Sequence, residues 1–499
     1  MGNRFNLVDE PWIPVGGVGL VSLRQVFSDP TLKAIGGNPM QKIALTKLLL
    51  AIAQASGTPE DDAQWRALGE QGLARQCISY LETWHHKFFL FGDEPFLQMP
   101  AIARAELSDF GEVLPDVATG NTTVLLQSQV ERSLSEANQA LLLVSLMACA
   151  LGGKKTDNSI VLSPGYTAKT NDKGKPSTSK PGPAVAHMGL LHSFLQGASI
   201  RQTGWLNLLT QAQLDASARF SEGMGKPPWE QMPAGEDCET ARLLKSSLMG
   251  RLVPMSRFCL LTEHGLHYSE GIAHPNYKEG ICDPSVAVHF AKKEPKALWT
   301  YPDKRPWREL TALLGFIAQQ DAQGFDCLQL KASVQRAIGA VDAFAIWSGG
   351  FSVSSNAGEQ YFSGSDDFVE SVVWLSSAAI GQVWFSQLQL EMRELDDLSK
   401  KLYGRVLGYY KTLGMGDAGE LSAQATQFFW ELCERDFQAL VDHCDQTDEC
   451  QHVRQTLRLR FANRVHQAYD HLCPKETARQ LEAWAKNRPN LNTYLQQEA

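Results

Sequence analysis

Lysine is the residue type that could do chemistry between residues 151 and 187, and its natural ligand is a polyanion. This stretch, LGGKKTDNSIVLSPGYTAKTNDKGKPSTSKPGPAVAH, carries six lysines and two aspartates among many Gly, Pro, Ser and Thr residues. Long loops without structure of their own are usually functional or disordered. The candidate contacts are Gly165, Lys169, Lys173, Gly174, Lys175 and Lys180. Two interpretations stay open: a loop that closes on nucleic acid, or a solvated, partly disordered excursion without a specific role.

The composition limits the class of protein around this loop. The chain has 499 residues, of which 43% are hydrophobic and 20% charged, as in globular proteins. Its net charge of −9 argues against an autonomous histone-like binder but allows a local basic patch within a complex. The ten cysteines are scattered without a CxxC pair, which indicates free thiols in a reducing cytosol. No stretch reaches the roughly 18 apolar residues of a membrane span, so we expect a cytoplasmic protein with no membrane contact. We also expect no cofactor.

The first residues predict a strand, a tight turn and a second strand. Prolines flank Trp12, which we expect to fill the core, and a glycine-rich turn leads into the second strand. Asn38 followed by Pro39 predicts the cap and first turn of an amphipathic helix that ends near Ser56.

This opening, LVDEPWIPV at residues 7–15 followed by a short strand and a helix, resembles the large subunit of the type I-E CRISPR surveillance complex Cascade, the CasA family. Stretches at residues 201–210, 250–257 and 298–310 resemble the same family. The resemblance implies a non-catalytic subunit that recognises the protospacer-adjacent motif in double-stranded DNA, helps start strand opening and R-loop formation, and recruits a helicase–nuclease. The partners it implies are other Cascade subunits, the CRISPR guide RNA, double-stranded target DNA and the helicase–nuclease effector.

The resemblance also implies which loops meet nucleic acid. Leu125, Leu126 and Gln127 fall where the family has a loop near the flanking duplex and the guide-RNA end, although a buried strand end is as compatible with the two leucines. The lysine-rich stretch takes the position of a glycine-rich loop that lies against the DNA minor groove. Its glycines are spaced out here, so the location carries over and the individual contact residue does not.

Two further elements of the family have counterparts in this sequence. A lysine on a short, glycine-bounded turn can donate to base edges in a groove, and the family has a DNA-reading lysine near Lys278. Alternation on both sides of Asn356 predicts a β-hairpin, where the family has a wedge under the recognised base pair. Its tip would be Ser354, Ser355 and Asn356, without the larger polar side chain of the family. The alternatives are a solvated lysine and a plain surface hairpin.

Helical periodicity replaces strand signals from residue 366 onward. We therefore predict an α+β protein, with a large mixed α/β domain over residues 1–365 and a C-terminal four-helix bundle over residues 366–499. Basic residues cluster on the predicted helices, and those four apart share a face. The candidates for contacts with a nucleic-acid backbone or a neighbouring subunit are Lys400, Lys401, Arg405, Arg454, Arg458 and Arg464. Solvated helix faces are the alternative.

The motif search predicts that the chain is not an enzyme. The segment 414–419 fits GxGxxG, but it joins two predicted helices and follows no strand. No sequence motif brings together a nucleophile, a base or a metal-ligand set. Two rival classes stay open, namely a protein-only assembly scaffold of a ribonucleoprotein and, disfavoured by the missing cluster, a metal-dependent hydrolase.

Overall fold

The structure is a computed structural model that describes residues 2–113, 133–149, 151, 189–280, 282–291, 293–318, 324–356, 359–361, 367–416 and 418–496. The chain divides into two compact units. The first consists of Met1–Trp307 with Gln323–Val372, and the second of Arg308–Ala322 with Val373–Ala499. The first unit combines helices with small sheets, and the second is mostly helical. The predicted fold class, a mixed α/β part followed by a C-terminal helical bundle, is confirmed.

The elements alternate along the first unit, and long helices follow in the second. The helices are α1 Leu23–Ser28, α2 Pro39–Ser56, α3 Asp62–Thr83, α4 Phe110–Val113, α5 Glu136–Ala148, α6 Ile200–Asn207, α7 Gln211–Ala216, α8 Glu239–Lys245, α9 Met249–Leu252, α10 Leu310–Leu313, α11 Leu328–Ile338, α12 Gln382–Thr412, α13 Gly419–Asp442, α14 Asp448–Leu472, α15 Ala478–Asn487 and α16 Asn492–Gln496. The strands are β1 Arg4–Asn6, β2 Ile13–Val15, β3 Gly19–Val21, β4 Phe89–Phe91, β5 Leu107–Asp109, β6 His192–Gln196, β7 Arg257–Leu261, β8 Gly265–Glu270, β9 Val288–His289, β10 Lys296–Ala297, β11 Ala343–Phe351, β12 Ser354–Asn356, β13 Glu359–Tyr361 and β14 Phe368–Ser376.

The N-terminal strand–turn–strand prediction is confirmed. Strands β2 and β3 pair antiparallel with Ile13 opposite Val21, and Gly17 in the turn adopts a φ of +76° that suits glycine. Trp12 is fully buried, and its indole N–H donates to the Leu7 carbonyl at 3.0 Å. The ring therefore fills the core without leaving its one polar group unsatisfied.

Helix α2 is a core helix of the first unit. The Asn38 side chain accepts a hydrogen bond from the Gln41 N–H (2.9 Å), and the Gln41 side chain accepts one from the Asn38 N–H (3.1 Å). This capping box confirms the predicted start. The predicted amphipathic character is wrong, because α3, α5, α6 and β11 pack around the helix and bury nearly all of it.

Strand pairing brings distant sequence regions to the same end of one sheet. Strand β11 lies between β14 and β6, and it pairs antiparallel with β6 in a register that sets Gly349 opposite His192. Strand β6 begins shortly after the lysine-rich stretch, and β11 ends shortly before the β12–β13 hairpin. Because the start of β6 pairs with the end of β11, the described residues just before β6 lie beside the residues that lead into the hairpin.

The second unit is built around helix α12, which packs against α13, α14 and α15. The Trp384 indole N–H on α12 donates to the Val441 carbonyl near the end of α13 at 2.9 Å. None of the helices in the described part of the chain is both long and apolar enough to cross a membrane.

Candidate nucleic-acid interface

Most of the lysine-rich stretch, and the loop before it, lie outside the described residues. This holds for Leu125, Leu126, Gln127, Gly165, Lys169, Lys173, Gly174, Lys175 and Lys180. What the structure describes is Leu151, the first residue of the stretch, and Gly189, which follows its last residue by two positions. The Leu151 carbonyl accepts a hydrogen bond from the buried Arg257 guanidinium at 2.9 Å. The first end is thus held by a charged donor.

Gly189, which follows the lysine-rich stretch, lies against the root of the hairpin. Gly189 has a φ of +63°, and its carbonyl accepts a hydrogen bond from the Thr300 N–H at 2.9 Å. A Cβ added at Gly189 would lie 3.1 Å from both the Phe351 carbonyl oxygen and the Val353 nitrogen. Only glycine fits this conformation and this close approach of two backbones without strain.

A single hydrophobic cluster joins this point to the predicted DNA-reading turn. We call it the junction cluster; its members are Leu190, Tyr277, Cys282, Val286, Val288 and Ala297, with Trp299 packed against them. Leu190 comes directly after Gly189, and Tyr277 comes directly before Lys278. The described residues that follow the lysine-rich stretch and the Lys278 turn therefore share one core, beside the hairpin root.

Lys278 lies on a short 3-10 helix, Tyr277–Glu279, in which Tyr277 points into the core and Lys278 points to the surface. Asn276 caps this turn through the Lys278 N–H (3.1 Å), and Gly280 ends it with a φ of +89°. Tyr277 is buried, whereas the Lys278 side chain is 52% exposed and its Nζ lies 3.9 Å from a carboxylate oxygen of the exposed Glu294. Since exposed ion pairs contribute little to stability, this ammonium can leave Glu294 for another acceptor at small cost.

The predicted hairpin is present, but two of its residues are not at the tip. Strands β12 and β13 pair antiparallel with Ser354 opposite Tyr361 and Asn356 opposite Glu359. Residues 357–358, between the two strands, lie outside the described residues. Ser354 and Ser355 belong to the first strand, so their assignment to the tip is wrong. The alternating sequence pattern defines the strands but not the register, which the pairing sets.

Two arginines proposed for backbone contacts are buried instead. Arg454 is 2% exposed and donates to the His443 carbonyl at 2.5 Å. Arg458 pairs with Glu391 at 2.9 Å, and the two side chains are 4% and 2% exposed. The prediction for Arg454 and Arg458 is corrected on this ground. Their spacing showed that they share a helix face, and that face packs inward.

The remaining basic candidates lie on the surface to different degrees. Arg464 is 27% exposed and pairs with Asp436 at 3.3 Å. Lys400 is 76% exposed and pairs with Asp397 at 2.8 Å, while Lys401 donates to the Asn490 carbonyl at 3.4 Å. Arg405 is exposed. Lys400, Lys401 and Arg405 thus reach the surface of α12 beside the exposed Asp397, and their contact with a polyanion stays a prediction.

The titratable groups of the described residues include possible metal ligands and the cysteine thiols. Among them, no group of His, Cys, Asp and Glu is arranged to hold a metal ion. The cysteines are free and mostly buried. Burial raises the pKa of the Cys77 thiol to about 12 and that of Cys259 to about 12, which disfavours the nucleophilic thiolate.

Comparison with known proteins gives concordant matches. The family model for CRISPR-associated protein Cse1 matches residues 6–490. The CRISPR-associated protein CasA/Cse1 of Thermus thermophilus is 33% identical over 151 residues, which cover 28% of this chain and 29% of that protein. The crystal structure of Thermobifida fusca Cse1 has a TM-score of 0.76 at 21% identity over 98% of each chain. That of Thermus thermophilus CasA has a TM-score of 0.73 at 20% identity over 99% of each chain.

A further solved structure is that of a CRISPR RNA-guided surveillance complex. One of its chains has a TM-score of 0.68 at 15% identity, over 98% of this chain and 99% of that chain. At these identities the structural matches establish a shared fold over nearly the whole length.

Proposed function

The chain belongs to the CRISPR-associated Cse1 family, and from this membership we propose that it is the large, non-catalytic subunit of an RNA-guided surveillance complex. In this role it recognises the protospacer-adjacent motif in double-stranded DNA, helps open the duplex so that the guide RNA can pair, and offers a surface to a recruited helicase–nuclease. Its partners are the other subunits, the guide RNA and the target DNA. In such complexes the protein reads a short duplex signal while base pairing reads the long sequence.

The observation that carries this proposal is the junction cluster. It contains Tyr277 of the turn that bears Lys278 and Leu190, which follows the lysine-rich stretch, and Gly189 beside it lies against the hairpin root. The described residues in or next to three elements expected to meet DNA thus have a common support within the first unit. We call the Lys278 turn, the lysine-rich stretch and the β12–β13 hairpin together the reading head. These three parts can act on one short stretch of duplex only if they are held close together.

The physical properties of the chain agree with a scanning role. A lysine that enters the minor groove meets a degenerate pattern of acceptors, so several motif triplets should be tolerated. A net charge of −9 limits indiscriminate adhesion to DNA and leaves local lysines to supply the attraction.

Lys278 is the residue whose replacement tests base reading. In the guide-loaded complex, we expect Lys278→Ala to lower affinity for the preferred triplet by about tenfold, with little change for a disfavoured triplet, because one base-edge contact is lost. The measurement is equilibrium binding to duplexes that differ only in the flanking triplet. Lys33→Ala, at an exposed lysine of the same unit, is the matched control. An equal loss for every triplet would instead make Lys278 a phosphate contact.

The hairpin is proposed to part the strands after the motif is recognised. Replacing residues 355–360 by two glycines should slow strand opening more than initial duplex binding, because the wedge is shortened while the reading turn is intact. Permanganate footprinting of the opened strand follows the first step, and duplex binding the second. Since Ser354 and Ser355 lie in a strand, their double replacement by alanine keeps the hairpin at full length and is a control that should open normally. Normal opening by the shortened variant would contradict the wedge role.

A further inference from the structure

Helix α2 carries a buried charge that the reading head described above does not use. Lys47 is 1% exposed in the apolar middle of the helix, and its ammonium contacts the Asp283 carboxylate, which is 15% exposed. Asp283 follows Lys278 on the same excursion of the chain, and Cys282 beside it belongs to the junction cluster. A buried lysine needs a partner of this kind, because an isolated charge would be very costly to bury.

Asp283 is tied to a second element as well. Its Oδ1 accepts hydrogen bonds from the Ser285 N–H at 3.0 Å and from the Ser285 hydroxyl at 2.7 Å. The Ser285 hydroxyl also lies 2.8 Å from Nδ1 of His192, the first residue of β6. Burial raises the pKa of Asp283, but the charges of Lys47 and His192 and the hydrogen bonds outweigh it and keep the pKa below its usual value. The carboxylate is therefore ionised at neutral pH and joins α2 to β6.

The other end of the same excursion is held by buried donors. The Arg251 guanidinium donates to the Pro275 carbonyl at 3.2 Å, and His274 Nε2 lies 2.7 Å from the Pro254 carbonyl oxygen. Burial and the nearby Arg251 lower the pKa of His274 well below its ordinary value of 6.5, so its ring is neutral at pH 7 and Nε2–H donates. Lys47, Arg251 and Asp283 line one small cavity of about 20 Å³ together with Tyr277.

These contacts hold the chain at Pro275, before the Lys278 turn, and at Asp283, after it, while the Lys278 side chain is exposed. Replacing a buried ion pair by apolar residues often leaves stability unchanged or raises it, so stability alone does not account for buried charge at this position. A hydrogen-bonded ion pair also fixes the position of the backbone that carries it. Here the backbone at Asp283 follows the Lys278 turn.

We propose that Lys47 and Asp283 are positioning residues that hold the turn so that Lys278 meets the base edge, and that they thereby set how sharply the motif triplet is discriminated. This inference rests on the proposed function of the reading head. The pair touches no DNA, and it acts through the geometry of the turn. Arg251, at the Pro275 carbonyl, holds the other end of the turn.

The test is the neutral pair Lys47→Met with Asp283→Asn in the guide-loaded complex. It removes both charges of the pair together, and asparagine keeps an acceptor for Ser285. The nearby buried Arg251 keeps its hydrogen bond to the Pro275 carbonyl. We expect affinity for the preferred triplet to fall about tenfold, toward that of Lys278→Ala, with unchanged affinity for disfavoured triplets and an unchanged salt slope. Adding Lys278→Ala to the neutral pair should cause no further loss, because both changes remove the same contact.

The matched control is another ion pair on the same helix. Lys42 pairs with Glu370 at 2.7 Å and does not contact the turn, so Lys42→Met with Glu370→Gln should leave triplet discrimination intact. A purely structural role of Lys47 and Asp283 would lower binding to all triplets alike and would add to the Lys278→Ala loss. Should the neutral pair fail to assemble, Ser285→Ala removes the hydroxyl that donates to Asp283 and contacts His192, leaves the Lys47–Asp283 pair in place, and should give a smaller loss in the same direction.

The outcomes separate this inference from the function on which it rests. The positioning role alone would be overturned if the wild-type complex discriminates between triplets and the neutral-pair variant discriminates equally well. If the neutral-pair variant does not assemble, Ser285→Ala takes its place in this comparison. A wild-type complex without triplet preference would overturn the proposed function and this inference with it.

Discussion

Replacing Lys169, Lys173, Lys175 and Lys180 together with alanine is expected to weaken binding of the guide-loaded complex to duplex DNA and to flatten its salt dependence. Each lysine that neutralises a phosphate contributes about 0.9 to the slope of log affinity against log salt. If all four do so, the loss of affinity between about 50 and about 200 mM salt should be about a hundred times larger for the wild type than for the variant. A salt titration of binding to a long duplex measures this slope.

The matched control keeps the charge and changes the side chain. Arginine at the same four positions should retain the slope, because the attraction to phosphate depends on charge. An unchanged slope in the alanine variant would remove the lysine-rich stretch from the DNA interface and favour the interpretation of a solvated excursion.

Replacing Glu391 with alanine is expected to destabilise the second unit by about 3–5 kcal/mol, because Arg458 would lose the carboxylate that balances its buried charge. The pair is almost completely buried. A large drop in the midpoint of thermal unfolding should report this loss, whereas the affinity of the assembled complex for DNA should be unchanged.

Two companion variants distinguish burial from charge alone. Glu391→Leu combined with Arg458→Met should recover most of the stability, since no charge is then left in the core. Arg460→Ala removes an arginine that is 55% exposed and pairs with Asp436, and should cost less than about 1 kcal/mol. If Glu391→Ala were as mild as Arg460→Ala, the buried assignment of Arg458 would be wrong.

Local signals in the sequence were sufficient for local structure. The order of prolines and glycines around Trp12 predicted the first hairpin, and Asn38 with Pro39 predicted the start of α2. Alternation around Asn356 predicted the β12–β13 hairpin. In each case the interacting residues are close in sequence, so composition and spacing carry the information.

What the sequence could not supply are the contacts between distant residues. Arg458 and Glu391 are 67 positions apart, so the arginine spacing on α14 indicated a shared face without its direction. Lys47 and Asp283 are 236 positions apart, and the signal for them was a single lysine in the apolar run of α2. The approach of Gly189 to the hairpin root likewise depends on the β6–β11 register, which no local pattern specifies.

The central claim is that this chain reads the flanking motif in duplex DNA. Its most direct test is target-duplex binding by the guide-loaded complex, assembled with and without this chain, across a panel of flanking triplets. The account predicts that the chain adds affinity for some triplets and little for others, and that Lys278→Ala removes this difference. Equal affinity for all triplets in both complexes would contradict it and make the chain a scaffold or a recruiter that contacts protein only.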